Sequence, residues 1–445
     1  MTMKRRHFLQ AASAAALTPW AQLQALAATT DPGGDYKALV CLFLYGGNDS
    51  NNLVVPTDAS PYAQYQRARP NLALPREQLV PITLANTGGA SYGLHPALAP
   101  LQPLFAAGQA SVVANVGPLL VPTTRAQWQA RSVPLPDNLF SHSDQQGAWQ
   151  SGIADDAPRN GWGGRTLERV VPDGLANRGY SAISVSGSNI WEGGDLGLTP
   201  YRVSSSGRFG FDFYDPTGQD PLSAAVASLL AETRSDPMEQ TWLNVMSRSI
   251  DNQRILSAAL SASTLKTVFP DTGLGRQLRM VAQLIAARGR LGLQRQCFFA
   301  SLGGFDTHGD DQLQRQNEAF GEIAGAVAAF QAAMGELALA RNVTLFTASD
   351  FGRNLPSNGQ GTDHGWGGHQ LVFGGGLAGA RLVGRFPVLQ VGGPDDAGQG
   401  VWIPTTSVDQ LGGELARWFG AAPNLVEAVF PRLPYFERSI GLMSA

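Results

Sequence analysis

Cysteine is almost absent from this chain: 445 residues contain only Cys41 and Cys297. That excludes a disulfide-stapled scaffold and any cysteine-rich metal knuckle. The two thiols stay compatible with one disulfide in an oxidising compartment. They are equally compatible with two buried free thiols, a common fate of cysteine. Charge is also scarce. Charged residues make up 15% of the chain, against roughly 25% in an average soluble protein. The net charge of −3 gives no hold on nucleic acid or on an anionic membrane surface. No segment approaches the 18 or so continuous apolar residues of a membrane span. A G-x-S-x-G elbow is missing, so an α/β-hydrolase triad is not expected. The glycines form neither a Walker A nor a G-x-G-x-x-G after the first strand. No repeat of fixed period occurs.

What is present begins at the N-terminus. "MTMKRRHFLQAASAAALTPWAQLQALAA" has a basic start, a modest Ala-rich apolar stretch and an A-x-A at Ala25-Leu26-Ala27. Residues 1–28 therefore read as a signal peptide, too weakly apolar to span a membrane. Arg5-Arg6 followed by His7-Phe8-Leu9 makes it a twin-arginine signal, addressed to the machinery that exports folded proteins. Residues 29–445 read as one domain, because apolar strand-like runs are spread from 37 to 375 with no cut between two cores. Residues 188–221, rich in Gly, Ser, Asp and Pro, read as an irregular insertion.

"KALVCLFLYGG" (37–47) is apolar enough for a strand buried on both faces. "SVVANVG" (111–117), "YSAISVSG" (180–187), "CFFASLGG" (297–304), "NVTLFTAS" (342–349) and "HQLVFGGG" (369–376) are shorter runs of the same kind. Between the fourth and fifth, Leu313, Phe320, Ile323, Val327, Phe330, Met334 and Leu337 form one helical stripe over 310–340. A second helical block covers 222–291, with a break near 269–273. Continuous apolar strands alternating with helices predict an α/β fold: a doubly wound, mostly parallel sheet with helices on both faces.

Three of these runs end in a carboxylate. Asp49 follows the first, Asp306 and His308 follow "CFFASLGG", and Asp350 with Arg353 follows "NVTLFTAS". Ligands of open α/β sheets bind outside the carboxyl ends of the strands. Three converging carboxylates repel one another unless cations neutralise them. His308 and His364 supply imidazoles of the kind used by Zn- or Mn-type sites. For any one of these aspartates alone, a helix cap or a turn is the simpler reading; their convergence points to a metal or catalytic site. Six histidines allow each to be weighed singly. His369 opens a strand-like run and reads as structural, His95 as a loop anchor, and His7 belongs to the signal. In "NLFSHSDQQGAWQSG" (138–152), Ser141 reads as a helix start. There it is both a cap and a candidate oxygen nucleophile facing free N–H groups.

These stretches together resemble the exported bacterial family known as domain of unknown function 1501. The resemblance rests on the twin-arginine signal and on "LYGGNDSNN", "LHPAL", "SHSDQQ" with "WQSG", "GWGGR", "FDTHGDD", "SDFGR" and "GTDHGWGG", in that order over nearly the whole mature chain. It implies a fold like that of alkaline phosphatases, sulfatases and cofactor-independent phosphoglycerate mutases. Those enzymes hold one or two divalent ions (Zn, Mn, Ca or Mg) at the carboxyl edge of the sheet. The resemblance casts Asp49, Asp306, His308 and His364 as metal ligands, Asp350 as a ligand of a second site, and Ser141 as the nucleophile. It departs at Phe351, where that superfamily places a histidine. The second site then relies on Arg353 for charge, or on a substitute ligand such as His142 or Asp310. The implied activity is hydrolysis of phosphate or sulfate esters, small or polymer-borne, in the periplasm, with Arg353 steadying non-bridging oxygens. The alternative is a non-catalytic exported protein that keeps the fold and binds a partner at the same edge.

Overall fold

The computed structural model describes residues 35–171, 178–206, 214–215, 220–261 and 265–444. The signal segment 1–28 and part of the stretch 188–221 lie outside the described residues. The first five strands are β1 (Lys37–Leu44), β2 (Val54–Pro56), β3 (Val80–Ile82), β4 (Tyr92–Leu94) and β5 (Ala110–Gly117). Then come β6 (Ala182–Ser184), β7 (Tyr201–Arg202), β8 (Arg295–Leu302), β9 (Val343–Ser349), β10 (Gly368–Gly374), β11 (Leu382–Val383) and β12 (Thr406–Ser407). The main sheet has the order β11-β5-β10-β9-β1-β8-β6-β7, and β12 also pairs with β5. β2, β4 and β3 form a small antiparallel sheet beside it.

β1 runs parallel to both its neighbours, β8 and β9. Its period-2 alternation serves two cores. Ala38, Val40, Leu42 and Leu44 pack with Leu278, Val281, Ile285, Phe320, Ile323 and Phe330 of the helices Gly273–Ala286 and Gln312–Glu336. Leu39, Cys41 and Phe43 face the other way, towards Trp162 and Leu167 of the helix Trp162–Val170 and Leu411 and Leu415 of the helix Val408–Phe419. A strand covered on both sides has no polar face, which is why β1 reads as an unbroken apolar run. Cys41 and Cys297 are buried free thiols.

β10 departs from the mostly parallel pattern, running antiparallel to β9 and β5. A parallel return needs a crossover of a dozen or more residues, usually a helix. The chain from 350 to 367 contains no helix. It extends β9 as a hairpin, with Gly352 N–H donating to Trp366 C=O at 3.0 Å and Asn354 N–H to Asp363 C=O at 3.1 Å. Residues after β9 and residues before β10 therefore lie together at one sheet edge, the edge where β1 and β8 also end. Among the described residues no helix is long and apolar enough to cross a membrane.

Candidate metal centre

Four chain segments meet at this edge. After β1 the chain turns through Gly46, whose φ of +117° favours glycine. A Cβ there would lie 2.3 Å from the Asp306 nitrogen, so only glycine lets the β1 and β8 exits approach this closely. The β8 exit brings Asp306 and His308. The β9 exit brings Asp350 and Arg353, and the returning hairpin brings His364 opposite Arg353. The fourth segment is the start of the helix His142–Ser151.

His142, Asp306 and His364 each offer a ligand atom within 4.8 Å of the others. Asp306 Oδ1 is the common point. His308 Nε2 lies 3.1 Å from it, and the Nε2 atoms of His142 and His364 lie 3.6 Å from it. His308 Nε2 is also 3.0 Å from His364 Nε2. The outer ring nitrogens are taken up elsewhere. His364 Nδ1 is 2.7 Å from the Phe140 carbonyl, which can only accept, so Nδ1 carries the proton. His142 Nδ1 is 2.7 Å from an Asp350 oxygen, and His308 Nδ1 is 3.4 Å from Asp363 Oδ1. Burial and the positive neighbours His142, Arg353 and His308 hold His364 below the ordinary histidine value, against its bond to Phe140. Neutral at pH 7, His364 presents a lone pair at Nε2. Two imidazole nitrogens at 3.0 Å with a carboxylate oxygen beside them call for a proton or a cation between them.

The donor set fits a small divalent ion. Zn with ligands at 2.0–2.1 Å in a tetrahedron has ligand atoms about 3.3 Å apart; here the three imidazole nitrogens lie 3.1–3.6 Å from Asp306 Oδ1 and the His308 and His364 nitrogens 3.0 Å apart, while the mutual limit within His142, Asp306 and His364 is 4.8 Å and His308 stands outside that group. Arg353 fixes the carboxylate. Its side chain is buried, and it donates to Asp306 Oδ1 and to the carbonyls of Gly46, Gly47 and Thr362 at 2.7–2.9 Å. Partial burial pushes the Asp306 carboxyl up, but Arg353, His308 and His142 outweigh it and hold it below the usual carboxylate range. Asp306 and His308 are open to solvent, so the centre is accessible from outside.

Several residues singled out in the sequence sit elsewhere. The carboxylate of Asp49 is buried and paired with the equally buried Arg69. Gln312 Nε2 at 2.6 Å and Asn51 Nδ2 at 3.1 Å complete its partners, and it is not one of the clustered ligand atoms. Arg353 is buried and donates to five protein acceptors, Asp306 Oδ1 and the carbonyls of Gly46, Gly47, Phe305 and Thr362, so in this arrangement it braces the edge. Asp350 is fully buried. Its oxygens accept from Gly46 N–H at 3.2 Å, from His142, and from Gln146 Nε2 at 2.9 Å. Phe351 packs on the rings of His142 and His364, with centroids 4.9 and 4.6 Å away. Ser141 is the N-cap residue, but its hydroxyl lies 2.5 Å from Asp144 Oδ2 and makes no cap bond. Asp310 is absent from the cluster. His95 and His369 are buried: the first accepts from Ala97 N–H and the second from Asn115 N–H, both at 3.1 Å.

His142 is the residue the sequence placed least well. Its signal was slight: a histidine next to the proposed nucleophile, at the start of a helix. The partner Asp350 is 208 residues away.

No curated protein matches this chain. Among solved structures it is similar to the lipoteichoic acid synthase LtaP from Listeria monocytogenes, at 8% identity and TM-score 0.36, covering 90% of this chain and 78% of that one. It is also similar to the C-terminal periplasmic domain of EcEptC from Escherichia coli in complex with Zn, at 9% identity and TM-score 0.32, covering 78% and 74%. The sulfatase PsFucS1 from Pseudoalteromonas sp. matches at 9% identity and TM-score 0.31, covering 95% and 77%. A family model matches residues 36–399, and the chain belongs to that family, described as protein of unknown function (DUF1501).

Proposed function

We propose that this chain is an exported, metal-dependent hydrolase of phosphate or sulfate esters, carried by a small molecule or a polymer. The observation supporting it is the convergence of imidazole Nε2 atoms on Asp306 Oδ1, at 3.1 Å for His308 and 3.6 Å for His364, on a solvent-open sheet edge. Asp306, His308 and His364 would hold the ion. A mixed imidazole and carboxylate set suits Zn or Mn better than Ca or Mg, which favour oxygen donors. The bound ion would supply Lewis acidity towards an ester oxygen.

The chain's own groups do the rest. Ser141 stands one residue before His142 on the first turn of a helix, where free N–H groups favour an anion. Its Oγ is exposed, and Asp144 Oδ2 at 2.5 Å is the group that would take its proton. A bond from Oγ to phosphorus or sulfur forms as the bond to the leaving oxygen breaks, that oxygen taking the proton from Asp144; water then cleaves the ester on Oγ, releasing phosphate or sulfate and restoring the serine. Arg353 keeps Asp306 in place. Export is supported by Arg5-Arg6 ahead of a weak apolar stretch. Arg5→Lys with Arg6→Lys should stop accumulation outside the cytoplasm in cell fractionation; unchanged accumulation would refute the twin-arginine route.

Aryl phosphate and aryl sulfate assays on metal-loaded protein test the chemistry. Ser141→Ala should cut kcat by about 100-fold or more, as loss of a covalent route would. Ser143→Ala should matter far less. A specific observation favours a second reading. Asp49 and Arg353 both serve buried structural bonds, as in a protein that keeps the fold to bind a partner. No turnover of any ester by protein with its metal in place would support that reading.

A further inference from the structure

Asp350 sits where a second metal ligand would be expected, yet its surroundings are those of an outer partner. Both oxygens are in use, by Gly46 N–H, His142 Nδ1 and Gln146 Nε2, and the side chain is fully buried. Its bond to Nδ1 holds the proton there and turns His142 Nε2 inward. A ligating histidine usually donates its other N–H to a carboxylate or carbonyl in this way. The pattern repeats: His364 donates to Phe140 C=O at 2.7 Å, and His308 Nδ1 faces Asp363 Oδ1 at 3.4 Å. Three imidazoles thus lie with Nε2 within 3.6 Å of one oxygen of Asp306; His142, Asp306 and His364 have ligand atoms all within 4.8 Å of one another, and His308 stands outside that group and joins through Asp306 and its 3.0 Å approach to His364. Among the described residues a second ion finds no comparable set. Asp49 is consumed by Arg69, Gln312 and Asn51, and Phe351 packs against both the His142 and His364 rings, which also touch each other edge-to-face.

We propose that His142 completes a single-ion centre with Asp306, His308 and His364, and that Asp350 and Gln146 are positioning residues that act only through the His142 ring. This rests on the metal-binding part of the proposed function and is independent of whether any ester is turned over. Aspartate's burial in the sheet edge makes Asp350→Asn the informative change. It keeps the shape but weakens the hold on the Nδ1 proton, whereas Gln146→Leu removes the supporting donor from a half-buried helix position.

The test is titration of the chelated protein with Zn, Co or Mn, read by elemental analysis, calorimetry and the visible spectrum of the Co form. One ion per chain is expected, with X-ray absorption reporting three imidazoles. Asp350→Asn should weaken binding by about 10–100-fold, the usual cost of losing an outer partner, while stoichiometry stays at one and the imidazole count at three. Gln146→Leu should give a smaller loss of the same kind. His142→Gln should drop the imidazole count to two. Should Asp350→Asn fail to fold, Gln146→Leu and His142→Gln carry the test. Two ions per chain, with one lost in Asp350→Asn, would overturn the inference and leave the hydrolase reading standing. One ion with three imidazoles and no ester turnover would support the inference and sink the hydrolase. Absence of Zn, Co and Mn binding would overturn both.

Discussion

Asp49 and Arg69 illustrate how one residue can serve the fold at a place that invites a chemical role. Both side chains are withdrawn from water, and the pair is surrounded by Gln312, Asn51, Asn52, Gln316 and Tyr65, each hydrogen-bonded to another member. Desolvation cancels much of the attraction in such a pair, but removing one partner strands the other charge. Arg69→Ala should therefore lower stability by about 3–5 kcal/mol, measured by denaturant unfolding. Asp49→Asn should also destabilise the protein while leaving its metal content unchanged; loss of the ion in folded Asp49→Asn would make Asp49 a ligand after all. The sequence announced Asp49 clearly, at the end of its most apolar strand. It did not announce Arg69, because an arginine in "QYQRARPNL" looks like any solvated helix residue. Whether it is buried depends on which elements close over it, and no local pattern encodes that. His142 was obscure for the same reason.

At the scale of elements, the legible parts were those with strong periodicity. The stripe Phe320, Ile323, Val327, Phe330 and Met334 is buried along the helix Gln312–Glu336. Leu313 is not: it is 36% exposed, because the first turn overhangs the sheet edge. There Gln312 and Gln316 turn inward instead, donating to the Asp49 carboxylate at 2.6 Å and its carbonyl at 2.8 Å. A polar pair at the start of an apolar stripe is a mark of a helix that ends over a charged site, and it was present in the sequence. The reversal of β10 was harder to read. An apolar run carries no direction. Only the lack of a helix between 350 and 367 implies a hairpin, and a Gly-rich loop of that length is compatible with either return. The reversal matters because it places His364 beside Arg353 and thus within reach of Asp306.

At the scale of the whole molecule, four buried titratable groups set the pH range in which the fold is most stable. Burial pushes the Glu192 carboxyl up to about 8; Asn189 Nδ2 at 2.7 Å is too little to restore it. Burial likewise raises Asp409, at the start of the helix Val408–Phe419, to about 7. Burial lowers His95 to about 4 and His369 to about 3. The signs differ. The carboxyls keep their protons in the folded state after the unfolded chain has lost them, so their contribution falls as pH rises from about 4.5 towards 8. The histidines stay neutral in the folded state while the unfolded chain is protonated, so their contribution falls as pH drops below about 6.5. Between pH 4.5 and 6.5 the two trends oppose. From pH 6.5 to 8 only the carboxyls act, and Glu192 is the last to ionise. With two groups on each side the slopes cancel, so stability measured by urea unfolding should be level from about pH 4.5 to 6.5 and decline towards pH 8. Each unit over which folded Glu192 alone keeps its proton costs about 1.4 kcal/mol. Glu192→Gln should flatten that decline above pH 7, turn the level stretch between about pH 4.5 and 6.5 into a rise, and leave the slope below pH 4.5 unchanged. An equally steep decline in Glu192→Gln would place its origin elsewhere.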